Sequence, residues 1–168
     1  LGKVGQFEGG TGLVREAVFN ILGDQVDGAR VLDLYAGTGA LGIEALSRGA
    51  AHATFVEGEA ACVEAILQSL SRTGLSGRAT VLRGRLPAAA ARLEPEAFDL
   101  VFLDPPYNDE GAEETLMAVA RLLAPGGTVV FEHGSRYNPP ERPGGLRIAE
   151  RRVYGDSAIA LYVQLEGA

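Results

Sequence analysis

Phe98-Asp99-Leu100-Val101-Phe102-Leu103 is almost continuously apolar and stops abruptly at Asp104-Pro105-Pro106-Tyr107. A strand of this kind has no polar side to turn toward water, so both of its faces must be covered. The run therefore predicts a central strand of a parallel sheet with helices on both faces. The remaining chain supplies the other parts. Val14, Ala17, Val18, Ile21 and Leu22 recur at helical spacing and predict a short helix at about 14–22. Arg30 to Leu34 predicts a first strand. A helix through about Arg48 follows it, with Gly49 in the position just past the helix end.

Further alternation continues the pattern. His52 to Val56 predicts a strand ended by Glu57, Glu59 to Thr73 a helix stopped by Gly74, and Ala79 to Leu82 a third strand. Pro87 suits the first turn of a helix through the alanine-rich stretch Ala88 to Ala91. Ala112 to Leu123 reads as helix, Pro125-Gly126-Gly127 as a turn and Thr128 to Phe131 as a fifth strand. Beyond a Pro/Gly-rich loop, Leu146 to Val153 and Ala158 to Leu165 can pair antiparallel across Tyr154-Gly155-Asp156-Ser157. The expected architecture is one α/β domain over residues 1–168, with a mostly parallel seven-stranded sheet and an antiparallel C-terminal edge hairpin.

Composition narrows the chemistry. Cys62 is the single cysteine and His52 and His133 lie far apart, which points away from a metal site. No apolar run is long enough to span a bilayer, so no membrane partner is expected and a cytoplasmic location is the simplest reading. The net charge of −7 argues against a general electrostatic footprint for nucleic acid. It leaves room for local patches, with Arg15, Arg48, Arg83, Arg85 and Arg136 as candidates.

Crossovers between parallel strands are right-handed, and ligands collect at the carboxyl ends of the strands. That rule brings Asp33 to Gly39, Glu57, Arg85 and Asp104 to Tyr107 onto one rim. In Asp33-Leu34-Tyr35-Ala36-Gly37-Thr38-Gly39, the glycines let a ligand approach the backbone and the helix start offers free N–H groups. Asp33 would repel a phosphate and welcome a cationic amino-acid group. Glu57, about twenty residues past the turn, can accept both hydroxyls of a ribose. The Gly-Lys-Ser/Thr phosphate loop is absent.

Asp104-Pro105-Pro106-Tyr107 carries the reaction signal. The two prolines fix two φ angles and remove two N–H donors, which makes a rigid backbone shelf. Asp104 can accept a hydrogen bond from an exocyclic N–H and aim the nitrogen lone pair at an electrophilic methyl. Tyr107 can stack on a planar base.

The glycine turn resembles the first motif of the Rossmann-like S-adenosylmethionine-dependent methyltransferases. The tetrapeptide is similar to the Asp/Asn-Pro-Pro-Tyr/Phe motif of their amino-methylating members. Arg15-Glu16-Ala17-Val18-Phe19-Asn20-Ile21-Leu22, Leu41-Gly42-Ile43-Glu44-Ala45-Leu46-Ser47-Arg48-Gly49-Ala50 and Tyr154-Gly155-Asp156-Ser157-Ala158 look like the bacterial RsmD type. That type methylates N2 of a guanine in 16S ribosomal RNA. The resemblance spans about Thr11 to Leu165. It implies S-adenosylmethionine as cofactor, held by Asp33, Tyr35, Ala36, Gly37, Gly39, Glu57, Arg85 and Leu86. It implies Asp104, Pro105, Pro106 and Tyr107 at the reaction centre, with Arg15, Asn20 and Tyr107 toward the RNA. The implied partner is 16S ribosomal RNA in a partly assembled small subunit.

Three segments depart from that family, one of them Leu67-Gln68-Ser69-Leu70, where the family's long helix usually holds an asparagine near its end. The basic segment that usually precedes the first helix reads Gly9-Gly10-Thr11-Gly12-Leu13 here. The acid or amide that commonly receives the adenine amine is replaced by Arg85, which cannot accept a hydrogen bond. Backbone atoms could read the adenine, Arg85 could stack on it, or Arg85 could point into solvent. Methylation of DNA adenine or of a protein amide is the alternative chemistry. A noncatalytic RNA-binding protein that kept the fold is the alternative of another class.

Overall fold

The computed structural model describes residues 14–106 and 108–165. Its strands are β1 (Arg30–Leu34), β2 (His52–Glu57), β3 (Ala79–Arg83), β4 (Phe98–Leu103), β5 (Leu123–Gly134), β6 (Leu146–Tyr154) and β7 (Ser157–Gln164). They form one sheet in the order β3-β2-β1-β4-β5-β7-β6. Strands β1 to β5 are parallel, and β7 inserts antiparallel between β5 and β6. The chain winds outward from β1 to β3 and then returns to β4. The crevice between β1 and β4 is therefore the topological switch point at which ligands bind in such sheets.

Helices α1 (residues 14–22), α2 (Ala40–Ser47) and α3 (Ala60–Thr73) cover one face. Val14, Val18, Phe19 and Leu22 of α1 bury there with Ala45, Leu46, Ile66 and Leu70 against Val31, Phe55, Phe102 and Val130. Helix α4 (Ala112–Val119) covers the other face, where Leu116 and Val119 pack on Leu34, Val101, Leu103, Phe131 and Tyr162. Strand β4 donates alternate residues to both layers, as its apolar run requires. At the opposite edge from the ligand rim, Arg30 clamps β1 to β4. Its backbone N–H and the Nε and Nη2 groups of its guanidinium donate to the Asp99 carboxylate.

Three elements differ from the reading of the sequence. The helix expected after Pro87 is a 3-10 turn at Ala88–Arg92. It has no room to lengthen, because Pro95 keeps Glu94 out of the helical region. The helix expected to reach Leu123 gives way to a 3-10 turn at Ala120–Leu122. Leu123 is needed in the sheet, where it pairs with Phe98. Pro125-Gly126-Gly127 lies inside β5 as a bulge that shifts the register between Phe98 and Leu100. The C-terminal hairpin forms as expected, turning at Gly155 and Asp156 between Tyr154 and Ser157.

Gly42 explains how closely α2 lies on the sheet. A Cβ there would stand 2.4 Å from the Phe55 ring and 3.1 Å from an Asp33 carboxylate oxygen. Gly42→Ala is expected to destabilise the fold by about 1–3 kcal/mol through overpacking. Urea unfolding would show this as a lower midpoint with an unchanged slope.

Candidate active site

The sheet register builds the rim. Leu34 pairs with Val56 on one side and with Leu103 on the other, and Leu103 pairs with Phe131. The residues that follow these four are Tyr35, Glu57, Asp104 and Glu132. They continue the same row across four neighbouring parallel strands, in the spatial order Glu57, Tyr35, Asp104, Glu132.

On the β1 side, the turn from Asp33 to Gly39 is held by hydrogen bonds to its neighbours. Ala36 N–H donates to the Val56 carbonyl at 3.1 Å, and Gly39 N–H to the Ala36 carbonyl at 2.8 Å. Gly37 and Gly39 both take positive φ, at 60° and 84°. That conformation strains any other residue and accounts for both glycines. Tyr35 takes φ 58° without being glycine. Such strain persists only where surrounding contacts enforce it. Here the Tyr35 hydroxyl meets Thr115 Oγ1 on α4 at 2.9 Å. Burial raises its pKa well above the ordinary value, so it stays protonated. The Tyr35 side chain thus leans toward α4, while its backbone remains in the turn.

Both acids of the turn region are buried. Asp33 is 1% exposed, and its Oδ2 accepts from Gly42 N–H at 3.0 Å. Glu57 is 6% exposed. Its Oε1 accepts from Gly37 N–H and its Oε2 from Glu59 N–H, both at 2.8 Å. A carboxylate has about four lone-pair sites, so each Glu57 oxygen keeps capacity for another donor. The backbone bonds aim the group at the turn. The neighbouring acid, Glu59, instead reaches Arg85 at 3.4 Å.

Arg85 is turned to that ion pair with its side chain 78% exposed. Its stem crosses Gly58, where a Cβ would sit 3.0 Å from Arg85 Cγ. Leu86 is half-buried against the second core layer. The space beyond β2 and β3 is therefore edged by the Arg85 stem and Leu86, with no side-chain acceptor from Arg85.

Asp104, Pro105 and Pro106 directly follow β4 at the centre of the rim. Tyr107 lies outside the described residues. The following loop is tightened by Asp109, whose carboxylate accepts from Gly111 N–H at 2.9 Å ahead of α4. Arg15 and Asn20 are both on α1 and line a shallow groove with Glu16, Glu44 and Arg48. Their helix enters β1 through residues 23–29, and Gly28 N–H bonds to the carbonyl of Gly49 just past α2. The α1 C-terminal end, which bears Asn20, is thus on the strand-start edge. Arg15 lies more than one turn earlier on the same helix, in the groove it shares with Arg48. Gly9 to Leu13 are outside the described residues.

Glu132 is the rim residue that the reading of the sequence missed. The available signal was an acid immediately after the apolar run ending at Phe131, the same pattern that singled out Glu57 after Val56. Burial first, and then the Asp104 carboxylate, push the Glu132 carboxyl above the usual carboxylate range. Among the described residues, no group of three or more histidines, cysteines and acids could hold a metal ion, and no helix is long and apolar enough to cross a membrane.

Residues 9–163 match the family model described as Conserved hypothetical protein 95. The chain belongs to this family. A Bacillus subtilis relative, YlbH, is 38% identical over 157 residues, which cover 90% of this chain and 85% of that protein. The Escherichia coli K12 protein named Ribosomal RNA small subunit methyltransferase D is 34% identical over 154 residues, covering 90% of this chain and 77% of that one. These relatives make it the RsmD-type family to which the motifs point. A solved conserved hypothetical protein of Streptococcus pyogenes superposes with a TM-score of 0.80 at 37% identity, over 90% of this chain and 95% of that one. The architecture is the Rossmann-like methyltransferase fold. The [4+2]-cyclase SpnF shares that fold at 14% identity and a TM-score of 0.69. The fold alone therefore does not select the chemistry, and the site must do so.

Proposed function

We propose that this chain transfers a methyl group from S-adenosylmethionine to the exocyclic N2 of a guanine in 16S ribosomal RNA. The observation that carries this reading is the rim row, in which Asp104 stands beside the turn served by Asp33 and Glu57 in a chain of the RsmD-type family. S-adenosylmethionine, when bound, supplies an activated methyl on a sulfonium. The residues present fit it. Glu57 is oriented by two backbone N–H groups and has acceptor capacity left for the ribose hydroxyls. The acidic Asp33 suits the cationic amino end of the methionine part. The backbone of Gly84-Arg85-Leu86, with apolar Leu86, is what this chain offers to the adenine.

Asp104 accepts one N–H of the target amine. That bond turns the nitrogen lone pair toward the β1 turn, from which the methyl arrives. Pro105 and Pro106 hold the shelf still, and Tyr107 stacks on the extruded base. Alignment is the main contribution the protein has to make. Arg15 and Asn20 contact RNA from α1. The partner is 16S ribosomal RNA in a partly assembled small subunit, which places the work in the cytoplasm.

Mass mapping of 16S ribosomal RNA from a strain deleted for the gene tests this reading. One N2-methylguanine is expected to disappear and to return when the gene is restored. An unchanged methylguanine inventory overturns it.

A further inference from the structure

We propose that Glu132 is a base-reading residue that, together with Asp104, recognises the paired N–H groups on the edge of guanine and rejects bases whose ring nitrogen beside the amine is unprotonated. The inference rests on the guanine-N2 reading above and deepens it.

Phe102 and Val130 face the first core layer, while Leu103 and Phe131 face the second. Glu132, still within β5, returns to the first face by strand alternation, and Asp104, the residue just past β4, is near enough to act on it electrostatically. Neighbouring strands lie about 4.8 Å apart, so two carboxyls at this level can serve two adjacent donors of one flat ring. Glu132 is half-buried and also neighbours Ile159 across the β5–β7 pairing. It is thus held in the sheet and does not hang from a loop.

Direction comes next. The turn at Asp33 to Gly39 lies on the β1 side of Asp104, and Glu132 lies on the β5 side. A base that gives its amine to Asp104 and receives a methyl from the β1 side must extend its remaining edge away from β1. The first protein group met in that direction along the row is the Glu132 carboxyl.

Chemistry then decides what Glu132 can read. Asp104 and Glu132 interact electrostatically, and the environment favours a proton on Glu132. Two carboxyls this close resist carrying two charges and retain one proton between them. In the proposed arrangement that shared proton lies toward Asp104 when the base enters, which leaves the Glu132 carbonyl oxygen as an acceptor. In guanine the ring atom beside the N2 amine is N1–H, a donor that this oxygen accepts. In adenine and cytosine the atom beside the amine is a bare ring nitrogen. It would face the oxygen lone pair to lone pair. The row thus separates guanine from the other amino bases through one oxygen.

The test uses small subunits reconstituted with 16S ribosomal RNA that carries either guanine or 2-aminopurine at the mapped target. 2-Aminopurine keeps the amine but has an unprotonated N1. The full-length protein and its Glu132→Gln and Glu132→Ala variants are compared for initial rate on each RNA. S-adenosylmethionine affinity is measured in parallel by calorimetry. The unaltered protein is expected to prefer guanine by at least about tenfold, the scale of one good base contact. Glu132→Gln is expected to narrow that preference to about threefold or less by gaining rate on 2-aminopurine, because its amide can donate to the bare nitrogen. Glu132→Ala is expected to lose rate on guanine without that gain.

An unchanged guanine preference in Glu132→Gln overturns the inference while leaving the guanine-N2 reading intact. Loss of S-adenosylmethionine binding in both variants also overturns it, since Glu132 would then serve the fold. Failure of the unaltered protein to methylate the guanine-bearing subunit sinks the functional reading, and this inference with it.

Discussion

Replacing Asp104 with alanine is expected to lower kcat for methyl transfer by roughly 100- to 1000-fold, the scale of losing one preorganised polar contact at a reacting centre. S-adenosylmethionine affinity is expected to change by no more than about threefold, because the proposed cofactor contacts come from the segments after β1, β2 and β3. The separation of the two effects is what matters. Asp104 comes immediately after the buried strand β4, and the prolines that follow it restrict the backbone. Truncating its side chain therefore removes an acceptor without removing the shelf. Asp104→Asn retains an acceptor oxygen and should lose less rate. Single-turnover rates and calorimetric titration of each variant supply both numbers. A parallel loss of rate and affinity in Asp104→Ala would move the residue from the amine to the cofactor.

Glu57→Ala should reverse that pattern. Its carboxylate is 6% exposed and satisfies the N–H groups of Gly37 and Glu59. Removing it strands two donors, one in the turn after β1 and one after β2. The cost to the fold is expected to be about 2–4 kcal/mol, with each unsatisfied buried donor contributing about 1–3. S-adenosylmethionine affinity is expected to fall roughly 100-fold, since charge-assisted bonds to the ribose disappear along with the group that fixes the turn. Glu57→Gln keeps one acceptor and should fall between the two. Denaturant unfolding and cofactor titration test the two effects. Normal affinity in a folded Glu57→Ala protein would show that the ribose is held elsewhere.

The contrast between Asp104 and Glu132 shows what the sequence could reveal. Asp33 to Gly39, Glu57 and Asp104 each end a local pattern in which a short apolar run meets a glycine, an acid or a proline pair. Local patterns of this kind survive into structure because the strand on which each depends is continuous. Glu132 also ends an apolar run, but its meaning depends on a partner strand far away in sequence. Only the pairing of Leu103 with Phe131 sets it beside Asp104. The Pro125-Gly126-Gly127 bulge further hid the length of β5, because these residues read as a turn when the register to Phe98 is unknown.

Side-chain anchoring was still less legible. Tyr35 stood out as part of a glycine turn, but its positive φ and its contact with Thr115 join residues on opposite sides of the β1–β4 crevice. Gly42 appeared in the sequence only as part of the segment after the glycine turn. Its role became clear only when Phe55 was seen against the helix. Arg85 remained open among three arrangements, and its ion pair with Glu59 turns it along the rim. Exposed pairs of this kind contribute little to stability, so Arg85 is free to move when a ligand arrives.

The hydrogen bonds that continue beyond the strands have a consequence for motion. Ala36 N–H reaches the Val56 carbonyl, and Gly84 N–H reaches the Glu57 carbonyl. The ladder therefore runs on into the segments that would cradle the cofactor. Those segments cannot swing open as hinged loops while the sheet stays intact. Opening them would first break bonds that extend the pairing of β2 with β1 and with β3, so ligand entry from the mouth of the crevice costs less.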